Sequence, residues 1–316
     1  MGRIVVFRPG ALGDTLLTVD ALVALRHRFP DAGLELVGHG EGGRLLQAAR
    51  LVDEATDFDA PGVTGLFRDP PSVPPQWEKA ELVVLWMQEA GGLFQAFRGA
   101  GARMVIAAMP EPEDGHVADY LVSSLASAGV EPLAETATLQ LPGVKVGDVA
   151  AAAALVHPGS GSVRKNWPTD RFAALCRRLA AGGIAFELLE GPADREPVNR
   201  LVAALGSSVK VSRPSNTLDL AEMLVSTRLL IGNDSGVSHL AARLGVPTVA
   251  IFGASDPNRW APRGPRVEVA GSSESWPSAE AVWAACQRAI QAPDRYPHTR
   301  ALAERWSRHG YLNRGS

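Results

Sequence analysis

Lysine is scarce in this chain of 316 residues: only Lys79, Lys145, Lys165 and Lys210 stand among its 31 basic residues, so a lysine inside a motif draws notice. Cysteine is scarcer. Cys176 and Cys286 are too few for a disulfide framework or a cysteine-based metal cluster, which suits a reducing compartment. No excess of positive charge exists to recruit nucleic acid without sequence preference, since 34 acidic residues leave a net charge of −3. No apolar run approaches the ~20 residues needed to cross a bilayer. The chain enters a strand-like run at once (Arg3–Phe7), so no signal peptide and a cytoplasmic location are expected. Repeats are lacking, and Ala150–Ala154 is the one biased tract. What is present, 46% hydrophobic and 21% charged residues, is ordinary for a globular protein. The length fits two domains of roughly 150 residues.

Short apolar runs alternate with amphipathic segments, the rhythm of parallel βαβ units. In the first half, strands are expected at Ile4–Phe7, Leu34–Val37, Leu82–Trp86 and Arg103–Ala107. Helices are expected through Leu12, Leu16, Val19 and Val23, and at Glu41–Arg50, Gly92–Arg98 and His116–Gly129. The second half predicts strands at Ala153–His157, Ile184–Leu189, Leu229–Gly232 and Thr248–Phe252. Its helices fall at Pro168–Ala180, Arg195–Leu205, Leu218–Val225, Ser235–Leu244 and Ala279–Ile290. The fold class is therefore α/β, with domains at 1–146 and 147–292 and a tail over 293–316. The tail's helical stretch, Ala301–Arg308, has no strand partner and could return to pack on the first half. Ala60–Gln76 holds five of the 23 prolines and is long for a connection, so it reads as a functional or a disordered loop.

Three strand-to-helix turns stand out, because ligands of doubly wound sheets bind at the carboxyl ends of strands. The first is Arg8-Pro-Gly-Ala-Leu-Gly-Asp14, whose Gly10 and Gly13 let backbone approach an anion. It lacks the G-x-G-x-x-G of a dinucleotide fold. Asp14 reads either as a helix-dipole partner or as a carboxylate free to act as general base. The second is His157-Pro-Gly-Ser-Gly-Ser-Val-Arg-Lys-Asn-Trp-Pro168, where Ser160, Ser162 and Lys165 suit phosphate oxygens, against the plain alternative of a solvated loop. Trp167 most simply packs between loop and helix. The third is Gly232-Asn-Asp-Ser-Gly236 followed by His239. Asn233, Asp234 and Ser235 are all good helix caps, yet the glycines would expose amides to a pyrophosphate. A histidine off the apolar stripe, as His239 is, is more often a structural hydrogen-bonder than a catalyst. Asp194 and Glu196, opening a helix after a strand, either hold ribose hydroxyls or only complement the helix dipole. Asp57-Phe-Asp59 matches a metal-holding D-x-D pattern too short to carry weight.

Taken in order, these motifs resemble glycosyltransferase family 9, the ADP-heptose:lipopolysaccharide heptosyltransferases. The matching residues are Gly10–Asp14, His157-Pro-Gly-Ser with Lys165-Asn-Trp-Pro168, Gly232–Gly236 with His239-Leu-Ala-Ala242, and Gly245-Val-Pro-Thr with Ile251-Phe-Gly253. The resemblance implies a GT-B architecture: two Rossmann-like domains facing across a cleft, acceptor on the first and nucleotide-sugar donor on the second. It implies inverting transfer without a metal or other cofactor, ADP-heptose being a substrate. On this reading Asp14 deprotonates the acceptor from a position facing the cleft, opposite Ser235 and Gly236. Lys165, Ser160 and Ser162, with the Ser235 and Gly236 amides, stabilise the departing diphosphate, which takes the place of a cation. Asp234 contacts the sugar, His239 lines the donor site, and Asp194 or Glu196 holds the ribose. The partners implied are the donor and a glycan or glycolipid acceptor, with peripheral contact at the inner membrane. Ala60–Gln76 and Gln88–Gly99 match no family pattern, and Arg68, Lys79, Arg98 and Arg103 could form a basic acceptor face. The competing classes are a sugar-nucleotide epimerase on the same architecture, which needs further acid/base residues, and a nucleotide-binding protein without activity.

Overall fold

Ile4, Val5, Val6 and Phe7 are all buried, so the first strand is apolar on both faces, the signature of a strand covered by helices on either side. The computed structural model describes residues 2–88, 90–142, 144 and 152–291. Its first half runs β1 (Arg3–Arg8), α1 (Leu12–Leu17), α2 (Val19–Arg28), β2 (Gly33–Gly38), α3 (Gly40–Ala48), β3 (Glu54–Asp57), α4 (Pro61–Thr64), β4 (Leu82–Trp86), α5 (Gly91–Gly99), β5 (Val105–Ala108) and α6 (Val117–Ser123). The second half opens with β6 (Ala154–His157), α7 (Thr169–Ala181), β7 (Phe186–Leu189), α8 (Arg195–Leu205), β8 (Val211–Ser212) and α9 (Thr217–Val225). It closes with β9 (Leu229–Asn233), α10 (Gly236–Arg243), β10 (Thr248–Ile251), α11 (Pro257–Trp260), β11 (Val267–Ala270) and α12 (Ala279–Gln291).

Both sheets are parallel and doubly wound, as expected. The first has the order β3-β2-β1-β4-β5 and the second β8-β7-β6-β9-β10-β11. Val6 lies between Leu36 and Val84 in register, and Val156 beside Ile231. The strand order reverses between β1 and β4 in one sheet and between β6 and β9 in the other. Such switch points leave a crevice at the strands' carboxyl ends. The three motif turns follow β1, β6 and β9, so each lies at one of these two crevices.

Several expectations need correction. The helix expected through Leu12–Val23 breaks at Thr18, whose hydroxyl donates to the Thr15 carbonyl at 2.6 Å, a local bond that competes with the helix. The helix expected over His116–Gly129 stops at Ser123, and a tight 3₁₀ turn leads to Gly129 at φ 71°. Ala60–Gln76, read as a functional or a disordered loop, is no disordered one: it holds α4 and a following 3₁₀ turn, and with Trp77 just beyond it covers the sheet. Val63, Leu66 and Trp77 are buried on the sheet face, with the Trp77 ring 5.3 Å edge-on to Phe7 and its Nε1–H donating to Glu35 Oε2 at 2.8 Å. The suggested basic acceptor face does not form. Lys79 and Arg103 precede β4 and β5, and Arg98 ends the antiparallel α5, so these three sit at the amino ends of the strands, away from the crevice. The boundary at 146/147 and the tail 293–316 lie outside the described residues. Among the described residues no helix is long and apolar enough to cross a membrane.

The halves are tied at the back by a buried ion pair. Arg243 of α10, 1% exposed, grips Asp20 of α2 through two bonds of 2.9 and 2.7 Å and also donates to the Ala137 carbonyl at 2.9 Å. The Ala137 amide donates to the same carboxylate (2.8 Å), and the Leu139 amide to the Arg243 carbonyl (2.7 Å). Burial pushes the Asp20 carboxyl's pKa up, but Arg243's charge and hydrogen bonds with the Ala137 amide more than offset that, so the pKa is lowered. A depressed folded-state pKa means stability that is complete above the ordinary Asp range and lost as pH falls through it. Asp20→Ala leaves a buried guanidinium without its counter-ion, which should cost about 3–5 kcal/mol at pH 7 in urea unfolding. The gap to wild type should narrow below about pH 4.

Candidate functional site

β1 ends on an arginine, and its side chain turns back toward the helix that follows. Arg8 is 2% exposed; its Nη2 donates to Asp14 Oδ1 at 2.9 Å and its Nη1 to the Pro110 carbonyl at 3.0 Å. Its Nε is buried without a partner among the described residues. Burial works to lower the Arg8 pKa while Asp14 and Glu111 raise it, and the balance is a lowered value; an arginine so placed stays charged. Asp14 Oδ2 accepts from the Ala11 amide at 2.9 Å, closing the first turn of α1. Gly10 makes this possible: φ is +135°, and a Cβ there would lie 2.6 Å from the Asp14 carboxylate. Asp14 thus fulfils the helix-start role while keeping 29% of its side chain open, the condition for meeting a substrate proton.

The second crevice is built around Asp234. Its Oδ2 accepts from Lys165 Nζ at 2.7 Å and from the Ser255 hydroxyl at 2.6 Å, and its Oδ1 lies 4.0 Å from His239 Nε2. The loop carrying Lys165 is stitched down by Asn233, whose Nδ2 donates to the Pro158 and Gly159 carbonyls (3.0 and 3.1 Å) while its Oδ1 accepts from the Trp167 amide (3.0 Å). Asn233 is therefore no helix cap; Ser235 caps α10. Trp167 packs as expected, edge-on to Phe172 at 4.9 Å with Nε1–H on the Pro277 carbonyl. The Ser160 hydroxyl lies 2.6 Å from the Ser162 carbonyl and 2.7 Å from Asn166 Oδ1, so it shapes the loop from within.

Asp194 and Glu196 do not share a place. Asp194 is buried and turned inward. His157 Nε2 lies 2.8 Å from its Oδ2, the Gly191 amide donates to it at 3.0 Å, and His157 Nδ1 faces the Ser235 hydroxyl at 3.4 Å. Burial raises the Asp194 pKa, but His157 and the Gly191 amide overcome this and lower it. Glu196 is exposed, pairs with Arg200 one turn on, and borders a cavity of about 140 Å³ with Asn166, Pro168 and Phe172. Among the described residues no group of three or more His, Cys, Asp or Glu could hold a metal ion, and Asp57 accepts from the Asp59 amide in a local turn.

The two crevices meet backbone to backbone. A Cβ on Gly236 would lie 3.0 Å from Leu12 Cβ and 3.1 Å from the Gly13 amide nitrogen, and one on Gly13 would lie 3.7 Å from both Gly236 Cα and His239 Cδ2. The amino ends of α1 and α10 therefore abut, placing Asp14's turn against Ser235–Gly236 with His239 between Asp234 and Gly13. Burial, with Arg243, His116 and Lys165 nearby, outweighs Asp234 and pushes the His239 pKa down to about 4, so its imidazole is neutral near pH 7. The structure brings the predicted Lys165, Asp14, Asp234, Ser235, Gly236 and His239 to this junction. Arg8, Ser255 and Asn233's stitching role were not predicted. An arginine closing an otherwise apolar strand was the available signal for Arg8.

The model of glycosyltransferase family 9 (heptosyltransferase) matches residues 122–286. The chain is 35% identical over 100 residues to lipopolysaccharide heptosyltransferase 1 of Pseudomonas aeruginosa, a stretch covering 31% of this chain and 28% of that one. The matched stretches span less than a third of the first such relatives' length. A glycosyltransferase family 9 structure from Veillonella parvula superposes with TM-score 0.72 at 20% identity, covering 92% of this chain and 97% of that one. The E. coli heptosyltransferase WaaC with ADP gives 0.71 at 16%, covering 91% and 99%. These two share the GT-B fold described above.

Because a Cβ at position 236 would press on Leu12 and the Gly13 amide, Gly236→Ala should cost about 1–3 kcal/mol of stability by overpacking, read in urea unfolding. Gly62→Ala, where nothing lies within 4 Å, serves as the neutral comparison.

Proposed function

We propose, from the premise that this chain belongs to glycosyltransferase family 9, that it transfers a sugar from a nucleotide-activated donor to a hydroxyl of a glycan acceptor. The sugar is a heptose and the acceptor a lipopolysaccharide-type glycan, as the names of its relatives suggest, and the donor is ADP-heptose, which the name of a similar E. coli structure, ADP-heptose lps heptosyltransferase II, carries. The observation that carries the reading is the junction of the two switch points: a partly open carboxylate, Asp14, stands across the α1–α10 contact from the Lys165–Asp234 pair. The work of such a site divides accordingly, acceptor on the first half (1–146) and donor on the second (147–292).

Asp14 takes the proton of the acceptor hydroxyl as that oxygen attacks the anomeric carbon. The bond from that carbon to the diphosphate oxygen breaks on the opposite face, so the configuration inverts. Negative charge then grows on the diphosphate. Lys165 and the Ser235 and Gly236 amides at the start of α10 are the groups to receive it, with Ser162 assisting and Ser160 holding the shape of the loop that carries Lys165. In the free protein Lys165 rests on Asp234, so donor binding exchanges one anionic partner for another and leaves Asp234 and Ser255 to the sugar hydroxyls. Neutral His239 contributes shape and a hydrogen bond rather than charge. Asp194 supports the donor turn through His157 and Ser235, and Glu196 stands at the outer rim. The acceptor substrate places the enzyme at the cytoplasmic side of a membrane.

General-base assistance to a sugar hydroxyl contributes ~10²–10⁴-fold. Asp14→Asn keeps the shape and, through its one oxygen, the bond to the Ala11 amide; it gives up the Arg8 bond and cannot take the proton. Its transfer rate from ADP-heptose should fall at least ~100-fold while ADP affinity in calorimetry stays at the wild-type value. Near-normal turnover would reduce Asp14 to a helix-start residue.

With cationic and amide donors balancing the diphosphate, turnover should persist in excess EDTA, and Lys165→Ala should weaken ADP binding under those same conditions. Loss of activity in EDTA, restored by Mg²⁺ or Mn²⁺, would contradict metal-independent transfer.

A further inference from the structure

The loop of residues 109–115, leaving the carboxyl end of β5, is gripped by arginines from both halves. From the first half, Arg8 Nη1 donates to the Pro110 carbonyl at 3.0 Å while Nη2 holds Asp14 Oδ1 at 2.9 Å. From the second, Arg259 of α11 donates to the Pro112 carbonyl at 2.6 Å, the Glu113 carbonyl at 3.0 Å and the Glu111 carboxylate at 3.3 Å. The docking is reinforced just beyond α11, where His116 Nε2 meets the Ala261 carbonyl at 2.9 Å and Arg263 pairs with Asp119. Residues 110–113 span at most ~14 Å when extended. Two of the four are proline, whose fixed φ removes much of the slack. Arg8 has little else to orient it. Its guanidinium is buried, its Nε has no partner among the described residues, and Pro110 and Asp14 receive its remaining bonds. Glu111's charge also acts on Arg8, which places both arginines around one acidic loop.

We propose that Arg259 is a positioning residue for the transfer: by seating residues 110–113 it fixes the Pro110 carbonyl, which aims Arg8, which sets the Asp14 carboxylate. The inference rests on the reading of Asp14 as general base. It adds that the base, though carried by the acceptor half, is aligned by a side chain of the donor half. Competence for proton removal is then tied to the seating of α11, separately from donor binding.

The test uses the full chain. Arg259→Ala should lower kcat about ten- to a hundredfold, the range expected when a reacting group is displaced by up to about 1 Å. ADP affinity and the KM for the donor should stay at wild-type values. In the Asp14→Asn background the same substitution should change the residual rate by less than about twofold, because the group it aligns is already disabled. Arg259→Lys, with one cation in place of a planar fork, should fall between wild type and alanine and also serves if the alanine variant does not fold. An equal fold-loss in both backgrounds, or a loss confined to KM, would make Arg259 a mere fastening between the halves and overturn the proposal while leaving the base reading intact. Near-normal turnover of Asp14→Asn alone would overturn the base reading itself.

Discussion

Backbone touches backbone where Gly13 meets Gly236, and the rest of the site is arranged around that contact. Parallel strands send their carboxyl ends, and the amino ends of the following helices, in one direction. Two such sheets turned toward each other bring two helix starts together, each with unpaired amides and a partial positive charge. The tight side is Gly236, where a Cβ would lie 3.0 Å from Leu12 Cβ and 3.1 Å from the Gly13 amide nitrogen. The consequence is a narrow seam whose polarity suits an anion, with Asp14 on one bank and Ser235 on the other.

Charge in the seam and behind it is stored in pairs. Asp14 leans on Arg8, Asp234 on Lys165, Asp194 on His157 and Asp20 on Arg243. A buried acid would be costly alone, and in all but the Arg8–Asp14 pair the partner comes from a distant element, so pairing also fixes how those elements sit. The pairs differ in reach. Arg243 is enclosed and joins the halves, while Lys165 keeps 38% of its side chain open to the crevice.

Much of this was legible in the sequence, and the reasons are local. Apolar runs ending in glycine, proline and serine mark strand-to-helix turns, and their order along the chain was enough to locate both crevices. The short strands β8 and β11 escaped notice because Val211–Ser212 is two residues long and Val267–Ala270 only partly buried. Arg8 escaped because its meaning lies in Pro110, 102 positions away, and Asn233 because its side chain reaches back 75 residues to Pro158 rather than forward to its own helix. Asp194 looked available beside its exposed neighbours, but only folding reveals that His157 is buried beneath it. Pairings across long sequence separation leave no periodic trace.

The proline-rich segment between β3 and β4 has only the single α-helical turn α4, and Val63, Leu66 and Trp77 are its fully buried apolar footholds. A longer helix in that position would commit a side chain every three or four residues to the sheet. Here the run from 67 to 72 is exposed, with the Phe67 ring 5.5 Å edge-on to Phe58 as its tie to the core. Its other residues can be replaced, lengthened or recharged while the sheet beneath is untouched. The segment is thus a place where the outer surface of this half can diverge between related chains while the seam stays constant.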